Sequence, residues 1–229
     1  MHDERFPGET EEYRVARDAL LAEERDLRRQ VERVAALRRR LPMGARVPED
    51  YTFEEGAADP EDIASTRKVR MSELFEKGHD TLVLYSFMYG PDMKKACPMC
   101  TSFIDGLNGN GMHLIQRLNL AVVAKSPLAR LREFARSRGW RNVRLLSSAG
   151  TTFNRDYHAE DTDGDQTSII HVFAKRSDGV HHFYSSELNM VDSEPGQNPR
   201  HIDLMWPLWN VLDLTPSGRG ADWFPALAY

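Results

Sequence analysis

The sequence predicts an α/β domain whose mixed β-sheet is flanked by helices, with a long N-terminal helix before it and an irregular C-terminal extension after it. Three observations predict it. Continuous apolar runs at residues 81–87, 120–124 and 143–146 have the length and makeup of buried strands. Segments of helical spacing lie between them, the order expected of parallel strands joined by crossovers. Two further apolar runs, 169–173 and 182–184, flank Ser177-Asp178-Gly179 and predict a closing hairpin.

The elements follow in order. Tyr13, Leu20, Leu27, Val34 and Leu41 recur every seven residues, so residues 9–41 read as one helix. The second seam, Ala16, Glu23, Gln30 and Leu37, is half polar, and a strong coiled coil wants both seams apolar. The helix is therefore expected to lie on the domain, and a homodimer stays open as the other use of its face. Pro42 stops it. Pro42, Pro48 and Pro60, set among many acids, make residues 42–70 an extended connector. Residues 98–107 and 111–118 read as helical pieces interrupted by Gly106, Gly109 and Gly111. Ser126 is expected to cap the next helix with Pro127 in its first position; Leu128, Leu131, Phe134 and Ala135 form its apolar face, and Gly139 closes it. Residues 147–166 and 189–200 read as polar loops, and 205–214 as a Trp-rich stretch. The division is thus 1–70, helix and connector packing on the core; 71–188, the core; 189–229, an extension of the same domain.

With 229 residues, 41% hydrophobic and 28% charged, the chain is long enough for one substantial core. A net charge of −5 gives no basic face for nucleic acid. No run approaches the ~20 apolar residues of a membrane span, and the polar start Met1-His2-Asp3-Glu4-Arg5 has no leader-like apolar stretch. A cytoplasmic location is the expectation.

The chain has 2 cysteines, both in Cys97-Pro98-Met99-Cys100. A bridge across so short a loop removes little chain entropy, so the pair reads as reactive or metal-binding. The motif follows a predicted buried strand and opens a predicted helix. There the free N–H groups and the helix dipole favour a thiolate at Cys97, with Lys94 and Lys95 as further positive charge. Cys97 is then the nucleophile and Cys100 the resolving thiol. The alternative is a copper(I) or zinc site that adds His171 to the two thiolates, with one of His181 or His182 as a further candidate.

Weaker signals are read as structural. Asp161, Asp163 and Asp165 suggest a calcium loop, but Gln166 and Val172 stand where such a loop needs glycine and glutamate. Nothing fixes Glu187, His201 and Asp203 near one another. Trp206 and Trp209 read as packing residues.

Several stretches together resemble the DUF899 family of bacterial and fungal proteins. They are Phe87-Met-Tyr-Gly-Pro-Asp92, the dithiol, Ser126-Pro-Leu-Ala-Arg130, Gly139-Trp140, Phe153-Asn154 and the run from Trp209 to Arg219. The resemblance implies a thioredoxin-like fold with Cys97 and Cys100 at its redox position, and implies no substrate. Thioredoxins place a cis-proline before a later strand; here Gln166-Thr167-Ser168 stands there. The peroxiredoxin pattern fails too, since counting from Pro91 its Thr/Ser and Cys positions hold Lys95 and Pro98. The expected activity is thiol–disulfide exchange on a protein or small-molecule partner, with a separate reducing partner and no bound organic cofactor.

Overall fold

The computed structural model describes residues 4–59, 61–62, 64–192, 195, 203–217, 220 and 223–229. These fall into two units, Met1–Pro42 and Met43–Tyr229. The first is built on helix α1, Glu11–Arg39. Its start is set by Thr10, whose hydroxyl accepts from the Tyr13 N–H at 3.2 Å. Glu11 and Glu12 in the first turn and Arg38 and Arg39 in the last suit the helix dipole.

The second unit is organised by a seven-stranded mixed sheet. Its strands are β1 (Thr52–Gly56), β2 (Thr66–Arg70), β3 (Thr81–Ser86), β4 (Asn119–Ala124), β5 (Arg144–Ser147), β6 (Ile169–Arg176) and β7 (Gly179–Ser185). Their order is β2-β1-β5-β4-β3-β6-β7. β3, β4 and β5 run parallel, as the crossovers require, and β6 and β7 form the antiparallel hairpin at one side. Every residue of β4 is buried, the signature of a strand covered on both faces. The connector expected at 42–70 is a correction: it holds a second hairpin, β1 with β2, and β1 pairs antiparallel with β5. Its acids concealed it. Glu55 reads as solvent-facing, yet it is buried because Arg144 and Arg67 bond its carboxylate at 2.7 and 2.8 Å.

Two apolar cores lie on opposite faces of the sheet, fed by alternate strand residues. Tyr85, Val122 and Ile170 belong to one, with Phe103 and Ile104 of α2 (Pro98–Leu114) and Leu131 of α3 (Leu128–Arg138). Leu82, Leu84, Val123 and Phe173 belong to the other, with Phe53, Met71 and Phe153. α2 is one helix, not two. At Gly111 a Cβ would stand 2.3 Å from the Asn142 carbonyl, so this glycine serves a close approach. α3 also starts later than expected: Pro127 is its N-cap, and the Ser126 hydroxyl caps nothing. Gly139 closes α3 in the left-handed conformation, φ 72°. A four-residue helix, α4 (Phe153–Asp156), interrupts the loop expected at 147–166. In the extension, α5 (Pro207–Leu212) brings Trp206 and Trp209 into the first core, with Trp206 edge-on to Phe103 at 5.8 Å.

The outer edge of β7 is covered. The Gly44 and Val47 N–H groups donate to the His182 and Val180 carbonyls at 3.0 and 2.8 Å.

Candidate functional site

β3 and α2 place the dithiol. Beyond Ser86 the chain leaves the sheet through residues 87–96, a loop held from three sides. The Phe87 N–H donates to the Val123 carbonyl at 2.8 Å, and the Cys97 N–H to the Met88 carbonyl at 3.1 Å. Arg130 of α3 donates to the Gly90 and Pro91 carbonyls at 3.2 and 3.1 Å and also to Met93. Its guanidinium carbon stands 4.2 Å from the centre of the Tyr89 ring. Gln166 packs against Gly90, where a Cβ would meet its Cγ at 2.9 Å. Asn154 holds Gln166 with an amide hydrogen bond of 3.0 Å.

Cys97 is the N-cap of α2, and Pro98 is its first residue. The Cys97 carbonyl accepts from the N–H and hydroxyl of Thr101 at 3.0 and 2.8 Å, which fixes the first turn. The two thiols are free; Cys97 is half-buried and Cys100 buried. Their acidities diverge. The Cys100 thiol, as donor, lowers the Cys97 pKa to about 6 against burial, helped by the backbone N–H groups of Cys100 and Met99. These N–H groups act at close range without forming a full cap hydrogen bond. Cys100 is pushed well up, first by that same interaction with Cys97, then by burial and by the Cys97 charge. Lys94 and Lys95 are exposed and are not what lowers Cys97.

The profile of the family described as "Bacterial protein of unknown function (DUF899)" matches residues 3–229. The chain belongs to the DUF899 family. No curated protein matches it. Among solved structures, this DUF899 protein is similar to a reduced 2-Cys peroxiredoxin of Plasmodium vivax, with 16% identity, 75% of this chain and 96% of that one covered, and a TM-score of 0.46. A peroxiredoxin-like protein of Aquifex aeolicus has 15% identity, coverages of 63% and 75%, and a TM-score of 0.43. Enterococcus faecalis AhpC has 12% identity, coverages of 80% and 98%, and a TM-score of 0.47. Likeness at that level says nothing about what the DUF899 chain acts on. The thioredoxin-like fold stands on its own topology: strand, dithiol and helix, a parallel strand beside the first, and an antiparallel hairpin on its other side.

Two residues near the dithiol escaped the sequence reading. The hydroxyl of Tyr85, a fully buried β3 residue, is adjacent to the Cys100 sulfur and favours its thiolate. Ser168 bonds the same hydroxyl. An aromatic in a strand carries no sign of that role. Arg130 was visible only as one letter of a family motif.

His171 does not join the cysteines, which corrects the alternative metal reading. Its register partner on β3 is Leu84, whereas Tyr85, beside Cys100, pairs with Ile170. One-residue alternation puts His171 on the opposite face of the sheet. There it is 0% exposed, and its pKa is lowered to about 3, first by burial and then by His182 and His158. Among the described residues no group of three His, Cys, Asp or Glu could hold a metal ion. The donor set Cys97, Cys100 and His171 therefore does not fit copper or zinc. His181 is engaged elsewhere, with Asp178 at 3.0 Å and the Gly44 carbonyl at 3.1 Å.

The remaining candidates are simply placed. Asp161 uses one carboxylate oxygen to accept from the Asp163 and Asp165 N–H groups, both at 2.9 Å, and the loop is exposed. Glu187 follows β7; His201 and the side chain of Asp203 lie outside the described residues. No helix among the described residues is long and apolar enough to cross a membrane.

Proposed function

We propose that this DUF899 protein is a thiol–disulfide oxidoreductase in which Cys97 attacks and Cys100 resolves. The observation that supports it best is the split between two thiols three residues apart: the accessible one is acidified and the buried one is held protonated. The Cys97 thiolate attacks a substrate disulfide, forming a mixed disulfide and expelling one substrate thiolate, which takes up a proton. That step removes the Cys97 charge and its hold on the Cys100 proton, which are two of the three causes that raise Cys100. The Cys100 thiol then loses its proton, helped by the Tyr85 hydroxyl and the Met88 N–H, both of which favour its thiolate. It attacks the Cys97 sulfur, closes the Cys97–Cys100 disulfide and releases the second substrate thiolate. Two electrons have passed to the substrate, and a thiol reductant returns them. No bound cofactor takes part.

The test is trapping. Cys100→Ser should accumulate a covalent adduct at Cys97 with a disulfide substrate, visible as added mass, and Cys97→Ser should form none. Trapping only in Cys97→Ser would exchange the roles. No adduct in either variant would end the reading.

A further inference from the structure

The face of the sheet opposite the dithiol carries a cleft of about 420 Å³, within the range of small-molecule sites. Ser185, His182, Tyr157, Tyr51, Arg46 and Glu187 are among the residues lining it. The thiol chemistry uses none of them.

A β-bulge builds its centre. On β7 Ser185 pairs with His171 and Tyr184 with Val172, but His182, not Phe183, pairs with Phe173. Phe183 is the extra residue. In a regular strand residues three apart point to opposite faces; the extra residue turns His182 and Ser185 to the same one. Their side chains meet there: the Ser185 Oγ is 2.7 Å from the His182 Nε2 and 2.7 Å from the His171 Nδ1.

Proton counting restricts this chain of groups. A serine hydroxyl has one proton and cannot donate to both rings. When it donates to the His182 Nε2, His171 must donate its Nδ1 proton to the Ser185 Oγ. His171 is neutral and sealed from water, so it holds that single proton. Its Nε2, which has no partner among the described residues, is then a bare lone pair against the surrounding rings. Burial lowers the His182 pKa and so keeps the ring neutral and basic, with the Tyr184 backbone and the Glu187 carboxylate acting the other way. A hydroxyl and a base within hydrogen-bond reach of it line one cavity, with the Glu187 carboxylate elsewhere in the lining, and a nucleophile beside its base is the core of an activated nucleophile.

We propose that Ser185 is a nucleophile with His182 as its general base, and that the cleft takes small carboxylic esters. The Ser185 Oγ bonds to the ester carbonyl carbon as its proton passes to the His182 Nε2. The carbon–alkoxy bond breaks, and His182 returns the proton to the leaving alcohol. Water, activated by the same ring, releases the acid and restores Ser185, so ester plus water gives acid plus alcohol. His171, donating to the Ser185 Oγ throughout, is a positioning residue. Tyr157 and Arg46 are hydrogen-bond donors among the residues that line the cleft.

A fluorophosphonate ester tests this, with the modified residue located by peptide mass mapping. The Ser185 Oγ should displace fluoride and gain the phosphonyl group. His182→Gln should slow that by ~10²-fold or more, the smaller end of general-base contributions, with its circular dichroism unchanged. If that variant does not fold, the wild-type rate serves instead: it should fall as the pH is lowered and His182 takes up a proton, with Asp156, Glu187 and Arg46 as the neighbouring charges and His171, His158 and Tyr157 as the other titratable groups around it. No label on Ser185, an equal rate in a folded His182→Gln, or a rate independent of pH would overturn the proposal and leave Ser185 a bridge between two rings.

Discussion

Replacing Cys100 with Ala removes the first cause of Cys97 acidity, the thiol that donates to it, and keeps the two backbone N–H groups. The limit of the effect is a return from about 6 to the ordinary 9.0. At pH 7 that takes the thiolate fraction from ~90% to ~1%, a loss of ~90-fold. A less acidic thiolate is a stronger nucleophile, by ~16–32-fold over three pKa units at a Brønsted slope of 0.4–0.5. The two effects nearly cancel at neutral pH, where alkylation should slow by at most ~3–6-fold. In alkali the order reverses, and the variant should react faster by up to ~16–32-fold. The assay is the rate of iodoacetamide addition at Cys97 across pH, followed by mass. Wild type should show a midpoint near 6 and the variant a higher one, with the curves crossing. An unchanged midpoint would refute the role given to Cys100. A wild-type midpoint of ~8.5 or above, with no disulfide formed on mild oxidation, would refute the acidified nucleophile itself.

Three further outcomes are expected. Tyr85→Phe removes a hydroxyl that favours the Cys100 thiolate; mixed disulfides at Cys97 should last longer, while the first alkylation rate holds, as followed by quenched mass spectrometry. Gly109 has open space where a Cβ would go and Gly111 does not; urea unfolding should show Gly109→Ala stabilised by ~0.5–1 kcal/mol and Gly111→Ala destabilised by ~1–3 kcal/mol. His171 has a folded pKa of about 3 against 6.5, so the unfolded chain binds the extra proton between those values. Its contribution is intact above pH 6.5 and declines as pH falls toward 3, by up to ~1.4 kcal/mol per unit. Chemical unfolding across that range should show a flatter slope in His171→Gln.

The core strands and the dithiol's place were legible because both rest on local signals. Continuous apolar runs mark β3, β4 and β5, and Pro98 beside a cysteine marks a helix start. What stayed hidden depends on partners distant in sequence. Glu55 is a buried strand residue only because Arg144 and Arg67 neutralise it, so β1 reads as part of an extended connector. The three glycines of α2 read as breaks because nothing local shows that Asn142 lies against Gly111. A histidine that follows the dithiol in sequence, as His171 does, reads as a third ligand. The face it takes follows from strand register, which the Leu84 pairing fixes and the sequence does not display. The bulge at Phe183 escaped for the same reason.

The borders of the sheet have a consequence for how copies of this protein can meet. An open strand edge invites another chain to extend the sheet. On one side that place is already taken, since residues 44–47 run along β7 and bond its Val180 and His182 carbonyls. On the other side the rim is β2, Thr-Arg-Lys-Val-Arg, where Lys68 repels a like strand brought alongside, while Arg67 and Arg70 are held by Glu55 and Glu73. Growth by strand addition is closed at one end and charged against at the other. Both rims thus steer contact between copies of this unit toward side-chain surfaces rather than toward a longer sheet.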